Sequence, residues 1–236
     1  MTIITEQFTP PPFVEKFQYK NCQQVNDPVT RKRVYVTPDG ESLPSVTTIL
    51  SATKDMTALN EWKKRVGEDK AKQITTEAAG VGTAMHANLE RFIAGIQRQP
   101  GNNPVHVQAN KMADEIIRNG LSSVNEVWAM EQSLYFPGLY SGTTDLVAVY
   151  KDNPSVCDYK QTNKPKKAEW VEDYFLQLVA YILAHNEVYG TDIREGHVFM
   201  CSRACEYQQF DLWPQDFNKY QDMWLNKVEE YYNAAR

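Results

Sequence analysis

The chain has 236 residues, 42% of them apolar and 23% charged. This suits one ordinary globular domain, and the longest apolar stretches, such as 176–184 and 146–150, fall well short of the roughly 20 residues that span a bilayer. A formal charge of −5 excludes a uniformly basic surface that holds phosphates by counterion release, though not local basic patches.

Residues 1–30, with Pro10-Pro11-Pro12 and Asn26-Asp27-Pro28, read as an irregular arm, because proline lacks the amide donor and biases its predecessor away from helix. The first residues carry no basic start, apolar run and small-residue cleavage site, so secretion is not expected. The folded body is expected to begin near residue 31. A short strand over 33–37 and a turn at Pro38-Asp39-Gly40 lead into the segment 43–50.

From 56 to 77, Leu59, Trp62, Val66 and Ile74 recur at helical spacing, which predicts one or two amphipathic helices. Another helix is expected over 78–97, ending before the loop Pro100-Gly101-Asn102-Asn103-Pro104, and a further one over 105–119, closed by Gly120. The texture then changes. Segments 123–135, 139–150 and 155–159 are rich in Val, Leu, Tyr and Trp and are punctuated by Pro137-Gly138 and Asp152-Asn153-Pro154, which predicts an antiparallel three-strand meander. A long helix over 168–189 ends at Gly190, two strands cover 195–201 and 206–213, and a last helix covers 216–235. This order suggests an α/β sandwich with a central mixed sheet flanked by helices.

The meander carries the chemistry. Gly142-Thr143-Thr144-Asp145 lies on its second strand and Cys157-Asp158-Tyr159-Lys160 at the end of its third. Two carboxylates on adjacent strands can converge on one hard cation, and a lysine two residues beyond the second shares its sheet face, because side chains alternate with period two. Phosphodiester hydrolysis requires these parts: a divalent ion, carboxylates that hold it, and a cation that orients the nucleophile or offsets developing charge. Taken alone, a D-x-K tripeptide is equally a strand-end ion pair. Upstream, Gly82-Thr83-Ala84-Met85-His86 precedes Glu90, placing an imidazole and a carboxylate on one helical face. Downstream, Gln177 and Tyr181 share a face of the long helix. The basic runs Arg31-Lys32-Arg33, Lys63-Lys64-Arg65 and Lys70 with Lys72 read as solvated faces, whereas Lys160, Lys164, Lys166 and Lys167 gain interest from the nearby carboxylates.

In this order and at these separations, G-x-x-x-H, G-x-x-D, D-x-K and Q-x-x-x-Y resemble the RecB-type branch of the PD-(D/E)XK nuclease superfamily. The resemblance covers roughly residues 80–185. It implies the restriction-endonuclease-like sandwich and a metal-dependent deoxyribonuclease. Mg2+ or Mn2+ would be held by His86, Asp145, Asp158 and the main-chain carbonyl of Tyr159, with Lys160 serving catalysis together with the two aspartates. Gln177 and Tyr181 would support the site or touch the DNA backbone, and Glu131 falls where many relatives carry an acidic residue. Gln161 stands where small hydroxyl residues are common. The short length and Pro44-Ser45-Val46-Thr47-Thr48-Ile49-Leu50 resemble small stand-alone members, among them phage exonucleases and mitochondrial genome maintenance exonucleases. These act on free single-stranded ends, with Ser45 or Thr47 as candidate phosphate contacts.

The resemblance thus implies an exonuclease of recombination, repair or replication, working with DNA and with recombination or replication proteins, in the cytoplasm, or in the host cytoplasm if phage-encoded. The absence of a Walker A sequence argues against ATP-driven unwinding. The alternatives are a structure-specific endonuclease, a non-catalytic nucleic-acid-binding protein that keeps the fold, and an assembly protein. Residues 31–236 are expected as one nuclease domain: 31–120 mainly helical, 121–213 the core sheet with its long helix, and 214–236 a C-terminal helix. The helices before the meander could form an arch for a threaded strand, with Trp62 or Phe92 stacking on bases. Cys22, Cys157, Cys201 and Cys205 have neither a disulfide nor a common zinc pattern, so they are read as reduced structural thiols; the four-cysteine iron–sulfur cluster of some relatives is the other reading.

Overall fold

The computed structural model describes residues 8–27, 31, 33–98 and 101–234; Met1–Glu6, Pro28, Lys32, Pro100 and Ala235, on which parts of the sequence reading rest, lie outside the described residues. The chain opens with a three-stranded antiparallel sheet of β1 (Gln23–Asn26), β2 (Arg33–Val36) and β3 (Ser42–Pro44). β1 corrects the expectation of an irregular arm over 1–30. Its prolines flank the strand rather than interrupt it, so every β1 residue keeps the amide that a ladder needs. The segment 43–50 divides at Ser45: β3 ends at Pro44, and the Ser45 hydroxyl accepts from the Thr48 amide at 3.0 Å to cap α1 (Val46–Ala52).

The helical stretch breaks at a different place from the one expected at 77/78. Gly67, at φ 85, separates α2 (Thr57–Val66) from a continuous α3 (Glu68–Ile93) of 26 residues. A positive φ of this kind is open to glycine and strained for other residues. α4 (Pro104–Asn119) starts where the Asn103 side chain accepts from the His106 amide and Pro104 fills the first turn.

A five-stranded mixed sheet follows, built from β4 (Val124–Phe136), β5 (Tyr140–Tyr150), β6 (Asn153–Thr162), β7 (Glu195–Ser202) and β8 (Tyr207–Leu212) in that spatial order. β6 and β7 alone are parallel. A parallel neighbour needs a crossover, which α5 (Glu172–Tyr189) supplies. The β5–β6 turn sits one residue before the predicted Asp152-Asn153-Pro154, because Lys151 and Asp152 take the positive φ values, 46 and 69, of a tight hairpin. The last helix, α6 (Pro214–Ala234), packs on α5.

Strand alternation sends residues to two cores. Val147, Val156, Val198 and Met200 pack beneath α1, α5 and α6, while Leu146, Ala148, Cys157 and Phe199 pack beneath α3 and α4. Phe92 belongs to the second core at 3% exposure, which corrects the idea that it stacks on bases. The arm covers the edge of β4: Val14 donates to the Val127 carbonyl and Val127 to the Pro12 carbonyl. An open edge would otherwise invite pairing with another chain. No described helix is long and apolar enough to cross a membrane.

Candidate active site

The β5–β6 ladder runs from Tyr150–Asn153 to Leu146–Cys157 and stops, although β6 continues to pair with β7 as far as Thr162 and β5 with β4 as far as Tyr140. The two central strands therefore part beyond Cys157. Buried main-chain groups at such a gap require other partners, and both come from residues singled out in the sequence. The Tyr159 amide donates to Asp145 Oδ2 at 2.7 Å, and the Tyr159 carbonyl accepts from His86 Nε2 at 2.9 Å.

A carbonyl cannot donate, so the His86 Nε2 carries the proton. In the neutral ring Nδ1 then keeps its lone pair, 3.6 Å from Asp145 Oδ1. The Tyr159 carbonyl thus orients the imidazole in the manner of an outer-shell partner and retains one free lone pair. α3 supplies His86 from one side of the sheet. β4 supplies Glu131 from the other strand flanking Asp145, since Met130 pairs with Leu146 and Gln132 with Thr144.

Glu131 has φ 50 in the middle of a strand, a conformation that costs a non-glycine residue about 1–3 kcal/mol. Its carboxylate, a His86 ring nitrogen and an Asp145 oxygen all lie within 4.8 Å of one another. Burial first, and then the charges of Asp145, Glu90 and Asp158, push the Glu131 carboxyl up to about 8. Its side chain stays open to solvent on one side. Burial and Asp158 likewise raise Asp145, against the opposing pull of His86 and Lys160. A concentration of carboxylates that resist ionising together is the electrostatic setting a divalent cation relieves.

Asp158 and Lys160 share a face of β6 and form a 2.6 Å ion pair. Beyond this lysine, the buried Asp158 Oδ2 has no hydrogen-bond partner among the described residues. Burial alone would depress the Lys160 ammonium, but Asp158 and Asp145 outweigh it and raise the group, which is therefore charged at neutral pH.

The helix-borne residues meet the strands through close approaches. A Cβ at Gly142 would lie 2.9 Å from the Tyr181 ring, and Gln177 donates to the Tyr181 hydroxyl at 3.5 Å. The glycine of G-x-x-D and the tyrosine of Q-x-x-x-Y are thus two halves of one contact. Gln161 lies beneath Gly82 of α3. Glu90, one turn beyond His86, bears on the site through its charge on Glu131.

Ser45 is 1% exposed, and its hydroxyl is occupied by Thr47, Thr48 and the helix cap. Ser45 and Thr47 both border a polar cavity of about 260 Å³, together with Arg33, Tyr35, Glu131, Gln177 and Tyr181. Arg33, which donates to Thr47 at 3.0 Å, and Tyr35 were not singled out by the sequence reading. Only the basic run around Arg33 hinted at them. The four cysteines are free thiols: Cys22 lies beside Ser133, while Cys157 of β6 and Cys201 of β7 share the core beneath α3 and α4, with Cys205 packed against it.

No family model matches the sequence. Among curated proteins, the chain is 29% identical over 202 residues to mitochondrial genome maintenance exonuclease 1 of Mus musculus, covering 80% of this chain and 59% of that protein. The counterparts of Xenopus tropicalis and Homo sapiens are each 27% identical, over 80% of this chain and 57% and 58% of theirs. The chain therefore spans less than three-fifths of the length of these relatives. Among solved structures, a candidate exonuclease of Eubacterium rectale superposes with a TM-score of 0.48 at 14% identity, over 65% of this chain and 64% of that one.

Proposed function

We propose that the chain is a metal-dependent deoxyribonuclease of the PD-(D/E)XK type that hydrolyses phosphodiester bonds from free DNA ends, with single strands as the preferred form. The observation that carries the reading is the convergence of His86, Glu131 and Asp145 on one point, beside the Asp158–Lys160 pair, in the gap where β5 and β6 part. The exonuclease names of the mitochondrial relatives support DNA ends as the substrate. On this reading residues 31–236 act as one nuclease domain, with β1 of the preceding arm lending its edge to β2.

Hard carboxylate oxygens with one imidazole fit Mg2+ or Mn2+, and the raised Glu131 and Asp145 are the groups such an ion would neutralise. Asp145, Glu131 and His86 would hold it, with Asp158 and the free lone pair of the Tyr159 carbonyl as further donors. When bound, the ion would polarise the scissile phosphate and lower the pKa of a water molecule. The chain's own residues supply the rest. Lys160, held charged beside Asp158, would offset negative charge developing on the phosphate oxygens or orient the attacking water. Gln177, Tyr181 and Thr47 line the adjoining cavity and would position the strand.

The test uses end-labelled linear and circular single-stranded DNA and linear duplex, with Mg2+ or Mn2+. Linear single strands should be degraded, EDTA should abolish the reaction, and Lys160→Ala should lower the rate by roughly 100-fold or more. Circles cut as fast as linear strands would exclude an obligate exonuclease, and full activity in Lys160→Ala would remove the assignment of the centre. DNA binding without turnover under either ion would favour the non-catalytic reading.

A further inference from the structure

Beyond Lys160, the chain continues through Thr162 into the run Lys164-Pro165-Lys166-Lys167, and one of these lysines is held differently from the others. The Lys166 amide donates to Gln208 Oε1 at 2.7 Å and its carbonyl accepts from Gln208 Nε2 at 2.8 Å. A single side-chain amide on β8 thus grips both main-chain groups of this loop residue, as a neighbouring strand would. Thr162 secures the approach by donating to the Lys164 carbonyl at 2.8 Å.

So held, the Lys166 ammonium lies 5.9 Å from the Tyr174 ring centroid, and the Lys160 ammonium lies 5.4 Å from the same centroid. Tyr174 lies one turn before Gln177 and two before Tyr181 on α5, whose side chains border the cavity, so the ring that both ammoniums approach lies on the helix face that leads to it. Lys54, just past α1, pairs with Asp173 next to Tyr174. Burial first, and then the nearby charge of Lys54, push the Lys166 ammonium down. Among the described residues no carboxylate pairs with Lys166.

A half-buried ammonium without a counter-ion, such as that of Lys166, is costly unless an anion is to be received there. Lys167, by contrast, is exposed, pairs with Glu169 at 3.7 Å and lies over Trp170, as a solvated surface lysine does.

We infer that Lys166, with Lys54 and the Tyr174 ring between it and Lys160, forms a phosphate subsite that holds a second phosphate of the bound strand, next to the one under attack. Gln208 is its positioning residue. This deepens the nuclease reading and rests on it. The shared chemistry is a phosphate oxyanion, which could be an internal phosphodiester or the terminal phosphate of a strand end.

The experiment measures binding of fluorescent single-stranded oligonucleotides by anisotropy with Ca2+ in place of Mg2+, across a salt series. Oligonucleotides with a 5′-phosphate, a 3′-phosphate or neither distinguish the two sources. In Lys166→Gln, affinity should fall about fivefold and the slope of log K against log salt should lessen by about 0.7, the share of one phosphate of a single strand. Lys166→Arg should retain both. Gln208→Ala should weaken binding in the wild-type background but add nothing to Lys166→Gln, which a merely structural role would not produce. If only phosphorylated ends feel the change, the subsite takes a terminus; if all three oligonucleotides feel it equally, it takes an internal phosphate.

An unchanged salt slope in a folded Lys166→Gln protein overturns the inference, even if the wild type cleaves DNA. Failure of the wild type to cleave under Mg2+ or Mn2+, with the slope change still present, overturns the nuclease reading and leaves an anion site.

Discussion

At the scale of single residues, Glu131 joins two unfavourable features, a left-handed backbone inside a strand and a carboxyl crowded by three others. Neither suits a residue whose only task is to complete β4, and both suit one aimed at a cation. The crowding has a pH signature. Glu131 is raised from 4.5 to about 8, so between those values the folded protein holds a proton that the unfolded chain has released. Its contribution to stability is full below about 4.5 and is lost as the pH rises through about 8. The melting temperature of metal-free protein is therefore expected to carry a component that declines over this window. Glu131→Gln should remove that component, and Mn2+ should offset it in the wild type. Melting curves across the window, with EDTA or Mn2+, provide the check; an unchanged decline in Glu131→Gln would assign the titration to another group. The motif order in the sequence located His86, Asp145, Asp158 and Lys160, and the structure brings all four to one gap. The strain at Glu131 was not legible there, because a backbone angle in mid-strand leaves no mark in residue type when the residue is not glycine.

At the scale of elements, the site depends on strands separating where alternation alone would keep them paired. The apolar pattern predicted β4, β5 and the start of β6, whose length was underestimated. Asp158, Lys160 and Gln161 break the apolar run, yet they still pair with β7 through main-chain bonds that carry no side-chain signal. The one or two helices expected over 56–77 left a break open, but its place at Gly67 was hidden, since a glycine inside helical spacing is legible as a break only when its φ is known, and Gly80 and Gly82 pass through α3 without one. The Gly142–Tyr181 contact shows how such elements are set in place. A side chain at residue 142 would meet the Tyr181 ring at 2.9 Å, a separation that forces the ring or α5 to shift. Gly142→Ala is expected to cost about 1–3 kcal/mol, in the range of overpacked cores. It should also displace Tyr181 and Gln177 from the cavity, so that DNA affinity falls together with stability. In the Gly142→Ala/Tyr181→Leu double variant part of the stability should return, measured as a non-additive shift in denaturant midpoint. Simple additivity would show that the two positions do not press on each other.

At the scale of the whole molecule, the arm adds to the direct contacts of β2 and β3 with β5 in tying the small sheet to the large one. Phe17 and Tyr19 pack against His185 and Tyr189 of α5, with Trp128 of β4 against Phe17. The hydrogen bonds around His185 fix its tautomer. Thr191 donates its hydroxyl to Asn186, so in the 2.8 Å contact with Thr191 it is His185 Nδ1 that donates. Nε2 is left as the acceptor for the Tyr19 hydroxyl at 3.0 Å. Protonating Nε2 would remove that acceptor in a fully buried place, and burial accordingly lowers His185 from 6.5 to about 4. A base depressed in the folded state lends stability that is present above about 6.5 and is lost as the pH falls through about 4. Over this span the loss is on the order of 3 kcal/mol. Because the arm supplies one of the two ring partners and β1 follows it directly, acid should loosen the arm before it unfolds the large sheet. Limited proteolysis near pH 5 should then cut within residues 8–22 faster than at pH 7.5, while near-ultraviolet dichroism of the core holds. His185→Gln, which keeps a neutral acceptor, should make cleavage of the arm insensitive to pH over the same range. Equal acceleration in that variant would place the acid-sensitive lock elsewhere along the arm.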